Sequence, residues 1–349
     1  YNQEHAGEIR VVGDRTPSGW ETKALQMVRS GTPYWNAKWH ITQFFDMRRV
    51  VETGLIQPIE PYVEASSLPW ASEYEDMTTE QVYEAGFYEG HQYGFSDYVS
   101  RNVVSYRTDY LEEAGWEEPP STWREFTECA RDIKEKLGDQ DIIPIDPAPP
   151  YRRACHSAFL GWVDSYDEAY DGEDNLRYTS DKSKEQLKLF KSWFDEGLAS
   201  VDSWHDPGVY AEKGQVAMHI GAEFRVPTLR GIWGINKIDA VNIPTPEEGM
   251  PSRTNWEADI PVIFSNAEYP QEAFDWICEM LAWEGDVARV WQEFAAYDFG
   301  LLTPYPSLNK ELFTGKPEHE WLIKSEKMVK NSWVIPRNVS FNIIGDKLG

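Results

Sequence analysis

Aromatic side chains flanked by carboxylate, amide or guanidinium groups recur where the pattern predicts the ends of strands. Such groupings suit a polyhydroxylated ring. An aromatic face matches the flat C–H surface of a sugar, while Asp, Glu, Asn and Arg bond its hydroxyls. Trp39, Trp162, Phe224 and Trp256 occupy such positions, with Trp35 a lesser candidate. Asp164 follows Trp162, Glu223 and Arg225 flank Phe224, and Asn255 and Glu257 flank Trp256. Asp97, Tyr98 and Arg101 lie at the start of another predicted strand. Taken singly, each polar member is equally well explained as a solvated charge or a structural ion pair, and each aromatic as core. Grouped, Trp39, Tyr98, Arg101, Trp162, Asp164, Glu223, Phe224, Arg225, Asn255, Trp256 and Glu257 form the candidate ligand-binding set.

Other chemistries find little support. The seven histidines, at positions 5, 40, 91, 156, 205, 219 and 319, are scattered, and no two share helical metal-ligand spacing. There is no GxSxG elbow, no HExxH, no Walker loop and no GxGxxG after a strand, so neither a metal nor a cofactor is expected. His219 falls inside a predicted strand and reads as structural. The cluster Glu73, Glu75 and Asp76 reads as a solvated loop. One enzymatic alternative stays open: a glycoside hydrolase needs two carboxylates about 5–10 Å apart across a sugar, and Glu223 with Glu257 are candidates. A sensory ligand-binding module feeding a receptor kinase is a third reading. The three cysteines, Cys129, Cys155 and Cys278, are too few and too odd for a fully paired framework. Cys129 and Cys278 fall on apolar helix faces, where cysteine is usually core.

The elements that must position these residues alternate. Helices are predicted over 19–30, 43–53, 109–114, 123–137, 183–196, 207–213, 270–283, 286–296 and 318–330, with a further helical pattern over 69–88 and another at 151–166. Strands are predicted over 8–12, 92–95, 99–107, 142–145, 216–220, 240–244 and 258–264, the aromatic-rich segment 34–41 reads as extended, and 300–307 reads as a proline-rich turn. Ser121–Thr122 caps the helix at 123–137, with Glu125 near the capping-box position. Such alternation indicates an α/β architecture, which binds ligands at the carboxyl ends of its strands. A chain of 349 residues exceeds one ordinary core, so two lobes are expected.

Charge narrows the partners. Against 33 basic residues stand 59 acidic ones, a net charge of −26. That field repels nucleic acid and anionic membrane surfaces. It is either a solubilising surface or an adaptation to high salt. No apolar run approaches the roughly 18–20 residues that span a bilayer. No signal peptide is visible, and the chain opens inside what reads as a folded segment, as expected if a leader has been removed.

Four blocks, in order, carry a resemblance. Tyr93–Phe95 and Val103–Tyr106 lead into Arg107-Thr108-Asp109-Tyr110-Leu111-Glu112-Glu113-Ala114-Gly115 and Pro119-Pro120-Ser121-Thr122-Trp123-Arg124-Glu125-Phe126. Lys213-Gly214-Gln215-Val216-Ala217-Met218 then precedes the turn Gly221-Ala222-Glu223-Phe224-Arg225. Ala258–Phe264 precedes Tyr269-Pro270-Gln271-Glu272-Ala273-Phe274, and Gly300–Ser307 follows. In this the chain resembles the extracellular solute-binding proteins of sugar ABC importers, which are maltose-binding-protein-like. The family's opening strand is missing here, and Tyr34–His40 replaces its plain apolar strand.

The resemblance implies a two-lobed periplasmic-binding-protein-like fold, each lobe a mixed sheet flanked by helices, with the ligand cleft between lobes. Lobe one would hold residues 1–107 and 256–310, and lobe two 108–255 and 311–349, with hinges near Arg107–Thr108 and Asn255–Glu257. It further implies a monomeric extracytoplasmic receptor, periplasmic or cell-surface, that closes on a carbohydrate, performs no chemistry and docks on ABC-transporter permease subunits.

Overall fold

A computed structural model describes residues 2–3, 5–13, 20–32, 35–42, 47–147, 181–200, 209–252, 254–282, 285–324 and 333–334. The chain divides into two compact units. The first comprises Tyr1–Val99, Glu257–Ala295 and Thr303–Asn309; the second comprises Ser100–Trp256, Ala296–Leu302 and Lys310–Gly349. The chain leaves the first unit inside the strand Tyr98–Arg107 and returns to it inside the strand Asn255–Ile263. The sequence reading set these passages at Arg107–Thr108 and near Asn255–Glu257. The short exchanges at 296–302 and 303–309 have no sequence signature.

In the first unit the strand Ala37–Thr42 runs antiparallel to Asn255–Ile263, pairing Ala37 with Ile263 and Thr42 with Asp259. Ile260, Val262, Ile263 and Phe264 are all buried. A run without alternation is covered on both faces. The helix Pro270–Leu281 starts on a proline, which suits a first-turn position with no amide to satisfy. It buries Ala273, Phe274, Ile277, Cys278 and Leu281 along one stripe. Tyr74 packs 4.7 Å from Phe95 and 6.0 Å from Tyr305, ring centre to ring centre. Burying these phenols requires partners for their hydroxyls: Tyr74 donates to the Ser96 carbonyl (3.1 Å) and Tyr305 to that of Leu281 (2.8 Å). Gly94 permits a close approach in this core, since a Cβ there would lie 2.3 Å from the Pro261 carbonyl oxygen.

The second unit is built on a mixed sheet. Ile238–Val241 pairs antiparallel with Tyr98–Arg107, which pairs antiparallel with Val216–Ala222, which pairs parallel with Ile143–Asp146. Three of these strands therefore end together, at Asp146, Ala222 and Val241. The helix Trp123–Leu137 begins in a capping box. Thr122 Oγ1 accepts from the Glu125 amide (3.2 Å), and Glu125 Oε2 accepts from the Thr122 amide (3.0 Å). Its apolar stripe meets the helix Asp181–Asp195, whose fully buried Trp193 lies 5.5 Å from Phe126 and 5.9 Å from Trp123. Gly115 ends the helix Thr108–Ala114 in the left-handed region at φ 93°, which a side chain would strain.

Several expectations are corrected. Glu8–Val12 forms turns and irregular chain, not a strand. It pairs with no strand among the described residues, and Val12 is 72% exposed, so nothing rewards extension. The pattern over 69–88 resolves into helices Pro69–Met77 and Glu80–Glu84, then a hairpin of Phe87–Tyr88 with His91–Gln92. Its turn residues Glu89 (φ 50°) and Gly90 (φ 82°) are both left-handed, the geometry of a tight two-residue hairpin turn. The strand expected at 92–95 is only this short arm. The turn region at 300–307 contains the start of the helix Pro306–Phe313. The helical pattern at 151–166 lies outside the described residues.

Cys129 and Cys278 are buried free thiols, and Cys155 lies outside the described residues. Burial pushes the Cys129 thiol up to about 12 and raises Cys278 likewise. No helix among the described residues is long and apolar enough to cross a membrane, and no group of three potential metal ligands occurs among them.

Candidate functional site

Each unit brings together part of the candidate set. In the first, Trp39 sits half-buried on the strand Ala37–Thr42. Its Nε1 donates to Asp97 Oδ2 at 2.8 Å. The Asp97 amide donates to the Asp259 carbonyl at 3.1 Å, and Tyr98 donates its hydroxyl to Asp259 Oδ2 at 2.5 Å. Trp39 and Tyr98 are thus linked through two adjacent acids. Burial holds the Asp97 carboxyl well above the usual range, and the Asp259 charge adds to the shift. The indole hydrogen bond works against it.

Two tryptophans overlooked in the sequence complete this grouping. Trp276 lies 5.4 Å from Trp39, and Trp291 meets it edge-on at 6.1 Å. Both are half-buried. They lie on helices, where aromatic residues at helical spacing read as core. Three adjoining, partly accessible indoles beside buried carboxyls supply stacking faces and hydrogen-bonding groups together. Trp35 instead packs 5.8 Å from Phe264, with Lys23 Nζ 5.1 Å above its ring.

In the second unit, the register that pairs Asn102 with Ala222 aligns Arg101 with Glu223. Both are buried, Arg101 at 2% exposure and Glu223 at 0%. The Glu223 amide donates to the Arg101 carbonyl (3.1 Å), and the Arg101 amide donates to Glu223 Oε2 (2.7 Å). Burial raises the Glu223 carboxyl to about 7, opposed by the Arg101 charge and by that amide. The Arg101 guanidinium lies 6.0 Å from the centre of the Trp321 ring.

Phe224 follows at the head of the helix Arg225–Trp233 and is 40% exposed. Arg225 lies 5.8 Å from its ring and is tied by Nη1 to Glu212 Oε1 at 3.2 Å. An open phenyl face with a guanidinium beside it is suited to stacking with adjacent hydrogen bonds. At the same strand ends, buried His219 places Nδ1 3.0 Å from Asp146 Oδ2. The glycine at 221 allows this, because a Cβ there would lie 2.4 Å from His219 Nε2. His219, read from the sequence as structural, is buried and paired, and its partner Asp146 had no sequence signal.

Trp162 and Asp164 lie outside the described residues. Asn255, Trp256 and Glu257 open the strand Asn255–Ile263, where Asn255 pairs with Trp333 and Trp256 with Val334. Their side chains also lie outside the described residues.

The profile of the bacterial extracellular solute-binding proteins matches residues 1–310, and the chain belongs to this family. Solved structures agree in fold. The ABC substrate-binding protein Lmo0181 from Listeria monocytogenes, in complex with cycloalternan, superposes with a TM-score of 0.78 at 16% identity, over 99% of this chain and 85% of that one. Maltose-bound MalE3 of T. maritima gives 0.78 at 12%, over 99% and 87%. The GacH receptor of Streptomyces glaucescens gives 0.75 at 15%, over 99% and 84%. The fold is the two-lobed α/β architecture of periplasmic binding proteins.

Proposed function

We propose that the chain is the extracytoplasmic receptor of an ABC importer, which captures a sugar or oligosaccharide by closure of its two lobes and delivers it to a membrane permease. The observation that carries this reading is the pairing of accessible aromatic faces with polar groups in each unit: Trp39, Trp276 and Trp291 beside Asp97, and Phe224 beside Arg225. Family membership supports it, and so do structural neighbours described as binding cycloalternan, maltose or acarbose. The receptor acts as a monomer and performs no chemistry. Glu223, one member of the carboxylate pair considered for hydrolysis, is sealed and engaged by the Arg101 amide, which suits a structural role better than an acid exposed to substrate. Trp162, Asp164, Asn255, Trp256 and Glu257 remain members of the proposed contact set.

A thermal-shift screen against sugars, polyols and sugar phosphates, with product analysis on each hit, tests the reading. Ligand at 100 times its Kd adds about 2.7 kcal/mol to stability, a rise of several degrees. Stabilisation by a neutral sugar recovered intact is expected. Cleavage of the sugar would replace the receptor by a hydrolase.

A further inference from the structure

His219 has a use beyond its pairing with Asp146. Register sets a row across the sheet of the second unit, with Ser105 facing His219 on one side and Asp146 facing it on the other. Directly paired residues put their side chains on one face. The row holds the residue types of a serine hydrolase, but Ser105 Oγ is sealed and makes no bond to the imidazole, so it offers no nucleophile.

The pairing with Asp146 sets the chemistry of the imidazole. A carboxylate only accepts, so Nδ1, 3.0 Å from Asp146 Oδ2, carries the proton. In the neutral ring Nε2 is then a bare acceptor. Asp146 is fully buried on the parallel neighbour strand, which fixes the tautomer and the ring together.

Gly221 aims that acceptor. A Cβ there would lie 2.4 Å from Nε2, 3.1 Å from Cε1 and 3.2 Å from Cδ2. The ring therefore leans along the strand Val216–Ala222 towards its carboxyl end, over a residue with no side chain. At that end the parallel strands Ile143–Asp146 and Val216–Ala222 stop together, and Glu223 and Phe224 follow. Ligands of α/β sheets sit at such ends. Nε2 makes no hydrogen bond among the described residues, and unlike Ser105 Oγ and Asp146 Oδ1 it is not sealed. The side chain keeps 5% of its surface open. We infer that His219 is a ligand-contacting specificity residue whose Nε2 accepts from one hydroxyl of the bound sugar, with Asp146 as the positioning residue that holds the tautomer. The inference rests on the sugar-receptor reading above. A bare acceptor favours a hydroxyl that donates and disfavours a group that presents only acceptors, such as a carboxylate or an ionised phosphate.

The test uses the full chain labelled with heavy-nitrogen histidine, at a pH where imidazoles are neutral, with the His219 signals assigned through His219→Gln. Without ligand, Nδ1 is expected to carry the proton and Nε2 to be bare. Glucose, maltose and sorbitol are then titrated, with affinity followed by calorimetry. For a probe that binds, the Nε2 resonance should shift saturably with the calorimetric Kd. Replacing one of its hydroxyls by fluorine, which cannot donate, should weaken binding by about tenfold or more. Asp146→Asn should move the proton to Nε2 and weaken binding by a similar factor. If that variant fails to fold, the parent spectrum and the fluorinated sugars decide. A proton on Nε2 in the free protein, or an Nε2 resonance unmoved while a probe saturates, would overturn the inference and leave the receptor reading standing. Binding by none of the three counts against both.

Discussion

Arg101 and Glu223 hold each other twice across adjacent strands, through the Glu223 amide on the Arg101 carbonyl and the Arg101 amide on Glu223 Oε2. Arg101 lies next to Ser100, where the chain has just entered the second unit. The clamp therefore fixes the turn that leads into Phe224 at the head of the helix Arg225–Trp233.

Its titration has a definite sign. The Glu223 carboxyl stands at about 7 when folded, above its ordinary value of 4.5. The folded state thus binds the proton more tightly, and stability is lost as pH rises from the ordinary carboxylate range through about 7. The shift corresponds to roughly 3 kcal/mol. Glu223→Gln keeps the acceptor for the Arg101 amide and removes the titration. Melting curves between pH 4.5 and 8 should show a smaller decline in the variant. Identical slopes would mean that Glu223 is not the titrating group.

Phe224→Ala should separate stability from binding. The ring is 40% exposed, so its loss should cost about 1–2 kcal/mol, too little to unfold the protein. Loss of a stacking face should weaken sugar binding by about 1–3 kcal/mol, by analogy with base stacking. The same loss is expected for Trp256→Ala on its sequence position. Calorimetric titration of both variants decides, and unchanged affinity in both would misplace the site.

Gly221→Ala should displace the His219 ring, since the new Cβ would lie 2.4 Å from Nε2. Overpacking of this kind costs about 1–3 kcal/mol in denaturant melts. The penalty should shrink strongly in a His219→Ala background, because the clash is with that ring. Equal penalties in both backgrounds would place the strain elsewhere.

Thr122→Ala should cost about 1 kcal/mol through loss of the cap on the Glu125 amide. Urea unfolding measures it, and a neutral result would show the helix start held by other contacts.

What was legible in the sequence follows the range of the interactions. The helix Trp123–Leu137 could be read because its signals are local: prolines that stop extension, a threonine cap and Glu125 reaching back. The strand Val216–Ala222 could be read from its apolar run. The partners of the site residues could not. Arg101 meets Glu223, and Asp146 meets His219, only through the register of strands far apart in the chain. Trp276 and Trp291 were hidden differently, because their helical spacing is that of core residues while their faces remain partly open. Glu8–Val12 shows the converse: its alternation suits a strand, but it pairs with no strand among the described residues.

The central claim is reversible capture of a sugar without chemistry. Calorimetric titration of the full chain with neutral mono- and oligosaccharides, followed by chromatographic recovery of the bound sugar, tests it most directly. The account predicts a saturable isotherm for at least one of them and sugar released unchanged. Binding by none of them, or recovery of a cleaved product, would contradict it.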